Sequence, residues 1–201
     1  YHGLVYEPGL FTESFFAPLA NAHPNILAVK IDGSTKECFF WGGRVGFLTY
    51  GFQGMSEEAA KALEEKTAGR VRGTISGVTT QSQYIVLHGL QDPNFETQVE
   101  ENRTILRNRA HTIKRTLEEH PEWEEEFQAL PFNSGYFMCT QLKEANEEKV
   151  RRVLREEYNT GVLSLNDPMY GRLIRIALSA VPEKNIPEVY ENLYKACKAS
   201  R

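Results

Sequence analysis

The sequence predicts an α/β chain in which an incomplete sheet with helices is followed by a compact α+β lobe. Residues 26–31 and 45–50 are short, β-rich and almost continuously apolar, as in strands that are covered on both faces. Between residues 94 and 121 the apolar positions recur at helical spacing, which predicts one long helix. Beyond that helix the pattern alternates between short strands and helices, which favours a separate lobe.

Helices are expected between the second apolar run and the long helix. Ser56 can cap a helix that begins Glu-Glu-Ala-Ala, and acidic residues in a first turn interact favourably with the helix dipole. Another helix is expected at about 80–90. The long helix carries a stripe of Phe95, Val99, Leu106, Ala110, Ile113 and Leu117, and Pro121 ends it. A helix of this kind commonly joins two lobes.

The last part of the chain has a regular order of elements. Strands are expected at 134–142, 161–165 and 172–179, and helices at 146–158 and 187–199. The apolar residues of the first of these helices form one stripe, and Gly161 lies where a helix can end. This part is therefore predicted to be a compact α+β domain.

The first part of the chain does not look self-sufficient. Two strands of buried type make too little sheet to cover an apolar layer, so neighbouring strands would have to come from residues outside this chain. The sequence also begins with Tyr1 rather than a methionine. We therefore expect the chain to be a fragment of a longer protein.

Composition and charge narrow the range of partners. The chain has 201 residues, 41% of them hydrophobic, and a formal net charge of −4. Such a chain has no broad basic face for nucleic acid or an anionic membrane, so neither is expected as a partner. No membrane-spanning run or signal peptide is recognisable, so a cytoplasmic location is expected. The three cysteines are far apart and lack ligand spacing, so no metal site is predicted.

The stretch IDGSTKECFFWGGRVGFLTYG, residues 31–51, contains the most specific chemistry. Lys36 lies in a predicted turn just past the first strand, where open α/β sheets bind ligands. A lysine amine attacks a carbonyl when it is deprotonated, and nearby positive charge or poor solvation promotes that form. Arg44, eight residues later, can lie in the same crevice, where its planar guanidinium can donate several hydrogen bonds to a phosphate. Taken alone, such a lysine is usually a solvated surface residue.

The combination resembles a known cofactor site. Two small residues before Lys36, followed by Gly-Gly-Arg-Val-Gly, resemble the lysine motif of fold-type I pyridoxal-phosphate enzymes, in particular the class I/II aminotransferases. The resemblance implies that Lys36 binds pyridoxal 5'-phosphate covalently and that Arg44 holds the phosphate. The family commonly has a hydroxyl residue three positions before the lysine, where this chain has Gly33. Ser34 is the expected substitute, and a backbone amide is the alternative.

The start of the chain is also similar to the family. YHGLVYE, residues 1–7, resembles the segment at the family's Asp-x-Ala-Tyr motif, which implies that Tyr1 contacts the cofactor's phenolic oxygen. The aspartate that pairs with the pyridine nitrogen would then precede this chain. A frayed terminus is the alternative interpretation of Tyr1.

Two segments of the last part resemble the family's small domain. RLIRIALS, residues 172–179, resembles the strand whose arginine binds the substrate's α-carboxylate, which implies that role for Arg175. A salt bridge at the rim is the alternative. FNSGYFMCTQL, residues 132–142, resembles the family's Gly-x-Phe strand, and we expect its Tyr136 and Phe137 to be packing residues.

The family resemblance implies a function for the longer protein. It would be a pyridoxal-phosphate-dependent aminotransferase, which transfers an amino group between an amino acid and a 2-keto acid, and it would act as a homodimer. Residues 1–93 would be the C-terminal part of the cofactor-binding large domain, residues 94–121 a connecting helix and residues 122–201 the small domain. The fragment alone is expected to be inactive.

Three other interpretations stay open at this point, one of them a domain without a cofactor whose motif matches are coincidental. A carbon–sulfur lyase of the same fold type would use the same lysine. A transcription regulator can carry an aminotransferase-like effector domain, which would bind a ligand without catalysis. The motifs do not specify which amino acid is the substrate.

Overall fold

The computed structural model describes residues 7–11, 13–133 and 135–201. These residues form two compact units. The first unit falls within residues 11–102, and the second contains residues 7–10 and residues from 103 onward. None of the helices in the described ranges combines the length and the apolar character that crossing a membrane requires.

The first unit contains a two-stranded antiparallel ribbon. Its elements in chain order are α1 (Phe16–Ala20), β1 (Ala28–Gly33), α2 (Ser34–Glu37), β2 (Gly46–Gly51), α3 (Glu57–Thr74) and α4 (Thr80–Gln91). The pairing of β1 with β2 runs from Ala28 opposite Gly51 to Gly33 opposite Gly46. The lysine–arginine stretch is therefore the connection at one end of this ribbon.

Both strands predicted in the first part are confirmed, with bounds shifted by one or two residues. The expectation that both of their faces are covered is not met within this chain. Ile31 is 81% exposed, and Val29 and Leu48 are 48% and 43% exposed. A ribbon of two strands has no layer of its own with which to cover such side chains, so they stay in contact with water.

Local signals set the starts of the helices in this unit. The Ser56 side chain accepts a hydrogen bond from the Ala59 amide at 3.2 Å, which confirms the predicted cap of α3. The helix predicted at 80–90 is confirmed as α4. Helix α1 was not predicted, because it has five residues and no capping side chain.

The long helix predicted at 94–121 is confirmed as α5 (Phe95–Glu119). Four of the six residues of its apolar stripe are buried, with Ala110 and Ile113 at 0% and 1% exposure, and Phe95 and Leu117 are partly exposed. The boundary between the two compact units lies inside this helix, after residue 102. The helix therefore contributes residues to both units.

The second unit is a four-stranded antiparallel sheet with helices. A 3-10 turn (Pro121–Glu125) leads to β3 (Phe127–Ala129), β4 (Phe137–Leu142), α6 (Glu147–Glu157), β5 (Leu163–Asp167), β6 (Gly171–Ala177) and α7 (Ile186–Ala199). The strand order is β3-β4-β6-β5. The core includes Val150 and Leu154 of α6, Ile174 of β6 and Leu193 of α7, all buried.

The predicted order of strand, helix, strand, strand and helix is confirmed in this unit. Strand β4 begins three residues later than predicted, and β6 ends two residues earlier. Strand β3 was not predicted, since three residues give no periodic signal. It forms because Phe127 pairs with Leu142 of β4, a contact that is distant in sequence.

Candidate functional site

The connection between β1 and β2 is closed by Ser34. Both the amide and the hydroxyl of Ser34 donate to the carbonyl of Val45, each at 3.1 Å. The carbonyl of Ser34 accepts from the amides of Cys38 and Phe40, also at 3.1 Å each. One residue thus ties the start of the connection both to its end and to its middle.

Lys36 lies in α2, a single helical turn, rather than in an open turn as the sequence suggested. This turn directly continues β1, so it lies at the carboxyl end of that strand, as predicted. The helical conformation follows from the bond that the Cys38 amide makes to Ser34. The lysine is therefore presented by a hydrogen-bonded turn whose backbone is held in place.

Two hydroxyl residues precede the lysine, and they have different surroundings. Ser34 is fully buried, and its hydroxyl proton is donated to the Val45 carbonyl. A phosphate oxygen needs a donor, so in this conformation the Ser34 hydroxyl has no proton to offer it. The Thr35 hydroxyl accepts from Nη1 of Arg44 at 3.3 Å, which leaves its own proton for another acceptor. The geometry therefore favours Thr35 over Ser34 as the hydroxyl beside the arginine.

Arg44 is held in an unusual backbone conformation. Its φ angle is 55°, in the left-handed region that non-glycine residues seldom adopt. Its Nη1 donates to the carbonyl of Trp41 at 3.1 Å as well as to Thr35. Strained backbone that persists because of surrounding contacts is common at ligand sites. The remaining donors of this fork make no hydrogen bond within the described residues, so they are available to an anion.

Gly43 lies directly against the ring of Phe40. A Cβ atom added at Gly43 would lie 1.9 Å from Cε1 of Phe40, so the ring of Phe40 occupies the space that a side chain would need. The amide of Gly43 also donates to the Phe40 carbonyl at 3.4 Å. Trp41, by contrast, is largely exposed. Phe40 therefore packs against the backbone that leads to Arg44.

Cys38 lies two residues after the lysine and is partly buried. Burial raises the pKa of its thiol, and the nearby carboxylates of Glu37 and Glu96 raise it further. A thiol in such surroundings stays protonated near neutral pH and is a poor nucleophile. The Cys38 thiol is therefore not a candidate nucleophile of this connection.

Arg175 lies on β6 in the second unit. It pairs with Cys139 of β4 on one side and with Leu163 of β5 on the other. Its Cζ atom lies 4.5 Å from the ring centroid of Phe137. Burial raises the pKa of the Cys139 thiol, and the positive charge of Arg175 opposes that rise.

The neighbouring arginine of the same strand has a structural role. Arg172 donates through Nη2 to the Lys143 carbonyl at 2.7 Å and through Nη1 to the Glu144 carbonyl at 2.5 Å. Its guanidinium therefore stabilises the turn before α6. Within the described part of the chain, no carboxylate forms an ion pair with Arg175.

The predicted site residues thus fall into three groups. Lys36, Ser34 and Arg44 share one connection of the first unit. Arg175 belongs to the second unit. Tyr1 lies outside the described residues. Of the two hydroxyl residues before the lysine, the sequence interpretation chose Ser34 over Thr35.

Comparison with known sequences identifies a family. The profile of the family described as aminotransferase class I and II matches residues 1–193. No curated protein sequence matches the chain. The family match covers both the lysine–arginine connection and the strand that carries Arg175.

Solved aminotransferases share the fold of this chain. LysN, an α-aminoadipate aminotransferase from Thermus thermophilus complexed with N-(5'-phosphopyridoxyl)-L-leucine, has a TM-score of 0.71 and 21% identity, covering 99% of this chain and 48% of that chain. A Thermus thermophilus aspartate aminotransferase single mutant has a TM-score of 0.71 and 18% identity, covering 98% and 46%. An aminotransferase from Mycobacterium tuberculosis has a TM-score of 0.72 and 16% identity, covering 100% and 48%.

The three structures agree on how much of each chain is shared. Nearly the whole of this chain superimposes on each of the three structures, yet it spans only about half of their length. At these identities the structures establish the fold, and the family profile establishes membership. The chain belongs to the aminotransferase class I and II family.

Proposed function

We propose that this chain is the C-terminal half of a pyridoxal-phosphate-dependent aminotransferase, which exchanges an amino group between an amino acid and a 2-keto acid. The observation that carries the proposal is the hydrogen bond between Arg44 and Thr35, which places a guanidinium beside the hydroxyl that precedes Lys36. Family membership supports the same activity. The solved LysN structure, which shares the fold, contains a phosphopyridoxyl compound.

The residues of the connection suit this cofactor. Pyridoxal phosphate carries an aldehyde, which reacts with a primary amine, and a phosphate, which accepts several hydrogen bonds. Lys36 supplies the amine. The open donors of Arg44 and the proton of Thr35 can bind phosphate oxygens, and Ser34 keeps the connection closed around them.

Each side chain then has a defined task. The cofactor, when bound, withdraws electrons from the substrate's Cα and so makes its proton removable. The Lys36 amine would hold the cofactor, and once the substrate's amino group has displaced it, the freed amine would move the proton from the substrate's Cα to the cofactor. Arg175 orients the substrate through its carboxylate, because a planar fork fixes both the position and the plane of that group. Tyr1 is proposed to contact the cofactor's phenolic oxygen.

The activity is assigned to a longer protein. This chain spans 48% of the LysN chain, and its ribbon exposes apolar side chains on β1 and β2. We therefore expect no turnover from the 201-residue chain by itself. We further infer that the longer protein works in the cytoplasm as a homodimer, and sedimentation of that protein would test the dimer.

The test uses cofactor trapping on the 201-residue chain. The chain is mixed with pyridoxal phosphate, treated with borohydride to make the lysine linkage permanent, and digested for mass spectrometry. We expect the phosphopyridoxyl mass on the peptide of Lys36 in preference to other lysines. Equal labelling of every exposed lysine would contradict the proposal.

A second arm tests the phosphate contact. Pyridoxal without its phosphate should label Lys36 more weakly than pyridoxal phosphate does. The Arg44→Gln variant should lose this preference, whereas Arg70→Gln, a change at an exposed arginine of α3, should keep it. If Arg44→Gln still labels Lys36 more strongly with pyridoxal phosphate than with pyridoxal, Arg44 does not bind the phosphate.

A further inference from the structure

The pairing of β4 with β6 places an aromatic ring beside Arg175. Phe137 is opposite Ala177, and Cys139 is opposite Arg175. Because side chains alternate along a strand, Phe137, Cys139 and Arg175 lie on the same face of the sheet, with Phe137 diagonal to the arginine. This is the face opposite the core, since the intervening Met138 is buried.

The ring and the guanidinium are in direct contact. The Cζ atom of Arg175 lies 4.5 Å from the centroid of the Phe137 ring, well within the range of a cation–π interaction. Phe137 is 39% exposed, and Arg175 is partly buried. The positive charge is thus stabilised by the electron-rich face of the ring.

Among the described residues, the same guanidinium has no counter-charge. No carboxylate in those ranges forms an ion pair with it. Arg172, on the same strand, has its fork occupied by the carbonyls of Lys143 and Glu144. A partly buried arginine that lies against a ring and has no ion-pair partner is the arrangement that a carboxylate ligand fits.

We propose that Phe137 is a positioning residue, whose ring holds the plane of the Arg175 guanidinium for two-pronged binding of a carboxylate. The proposal rests on the proposed function, in which Arg175 receives the substrate's carboxylate. The side chain of an arginine rotates freely in water, and a flat ring against one face restricts that rotation. Less freedom is then lost when the carboxylate binds, so binding is tighter. Phe137 therefore has a role beyond the packing expected from the sequence.

Propionate is the probe, because it offers a carboxylate without an amine. The 201-residue chain is labelled with ¹⁵N, and the Nε–Hε resonance of Arg175 is followed during titration. We expect a saturable shift with propionate and none with propionamide, its neutral analogue. Arg175→Gln identifies the resonance by its loss, and the Nε–Hε resonance of Arg172 should not respond.

Variants of Phe137 separate positioning from packing. Phe137→Leu and Phe137→Met keep apolar volume but remove the flat ring, and each should weaken propionate binding about two- to five-fold. Phe137→Tyr keeps the ring face and should bind as the original chain does. The first two variants should also increase the motion of the Arg175 Nε–Hε bond, measured by its heteronuclear NOE, while the amide resonances of α6 remain in place.

The outcomes distinguish the two proposals. If the Arg175 Nε–Hε resonance of the original chain does not shift with propionate, the carboxylate-binding role of Arg175 is overturned. The positioning role of Phe137 is then overturned as well. If that resonance responds but both Phe137→Leu and Phe137→Met bind propionate equally well, only the positioning role is overturned. Should one of these variants fail to fold, the other decides. A loss of binding in Phe137→Tyr would also contradict a role that depends on the ring face.

Discussion

The guanidinium of Arg44 donates to the hydroxyl of Thr35 at 3.3 Å, across nine residues of chain. The bond brings the phosphate-binding candidate next to the residue that precedes the proposed cofactor lysine. The hydroxyl of the neighbouring Ser34 instead donates to the Val45 carbonyl. The two adjacent hydroxyls thus have separable tasks, one facing the arginine and one closing the connection.

Replacing Thr35 by Val should weaken cofactor binding. The change keeps the shape of the side chain but removes the proton that would be donated to a charged phosphate oxygen, a bond whose loss corresponds to about a tenfold drop in affinity. The measurement is a titration of pyridoxal phosphate followed by trapping on Lys36. Thr35→Ser, which keeps a hydroxyl, should stay within about twofold. A Thr35→Val variant that binds the cofactor normally would return the role to Ser34 or to a backbone amide.

Replacing Ser34 by Ala should lower stability. The hydroxyl of Ser34 is buried and donates to Val45, whose carbonyl would still accept from the Ser34 amide. We therefore expect a loss of about 0.5–1.5 kcal/mol in the free energy of unfolding, the ordinary net value of one such bond. Urea denaturation of the chain measures it. Thr35→Val is the matched control and should change this free energy less, because its bond to Arg44 is exposed.

Replacing Gly43 by Ala should disturb the connection through Phe40. The added Cβ would meet the Phe40 ring at 1.9 Å, so the ring must move, and overpacking of this kind costs about 1–3 kcal/mol. A Cβ at Gly42 would meet nothing within 4 Å, so Gly42→Ala is the control and should stay within about 0.5 kcal/mol. Adding Phe40→Ala to Gly43→Ala should recover part of the loss. Equal effects of the two alanines in urea denaturation would exclude the steric explanation.

Stability in acid should depend on Glu148. Hydrogen bonds from Arg151 and from Ser164 lower the pKa of Glu148 from its ordinary 4.5 to about 2. A carboxyl whose pKa is lower in the folded chain contributes stability above its unfolded pKa and loses that contribution as the pH falls through its folded pKa. The contribution should therefore fade between about pH 4.5 and pH 2.

The pH dependence has a direct test. Glu148→Gln should flatten the fall of the thermal midpoint over this window, and the effect should be small because the carboxylate is exposed to solvent. Glu157→Gln, at an exposed position on the same helix, is the control and should leave the slope unchanged. A slope that is identical in Glu148→Gln and the original chain would show that these bonds do not persist in solution.

Elements with strong local signals were predicted well from the sequence. Helix α3 begins where Ser56 caps it, and the bond from the Ala59 amide joins residues three apart. Helix α6 begins in the same way at Asn146, whose side chain accepts from the Lys149 amide. Such contacts join residues that are close in sequence, so a linear pattern contains them. Strand β3 has no comparable signal, because its pairing partner lies in β4.

In the candidate site, too, some features could be predicted from the sequence and others depend on contacts between residues that are distant in sequence. The spacing of Lys36 and Arg44 was visible in the sequence, and with it the presence of an amine and a guanidinium in one connection. Which hydroxyl faces the arginine was not visible, because that choice depends on the Val45 carbonyl, eleven residues beyond Ser34. The choice was made by hydrogen bonds across the connection.

By itself, the sequence determined the order of the longer helices and of every strand except β3, the family and the residue types of the site, since each depends on near neighbours or on a fixed motif. The tertiary structure alone decided that the Ser34 hydroxyl bonds to the Val45 carbonyl, that Thr35 meets Arg44, and that the ring of Phe137 lies against Arg175. Those three relationships join residues that only strand pairing and loop closure bring together. No linear spacing encodes them, because the backbone path between the partners sets their distance.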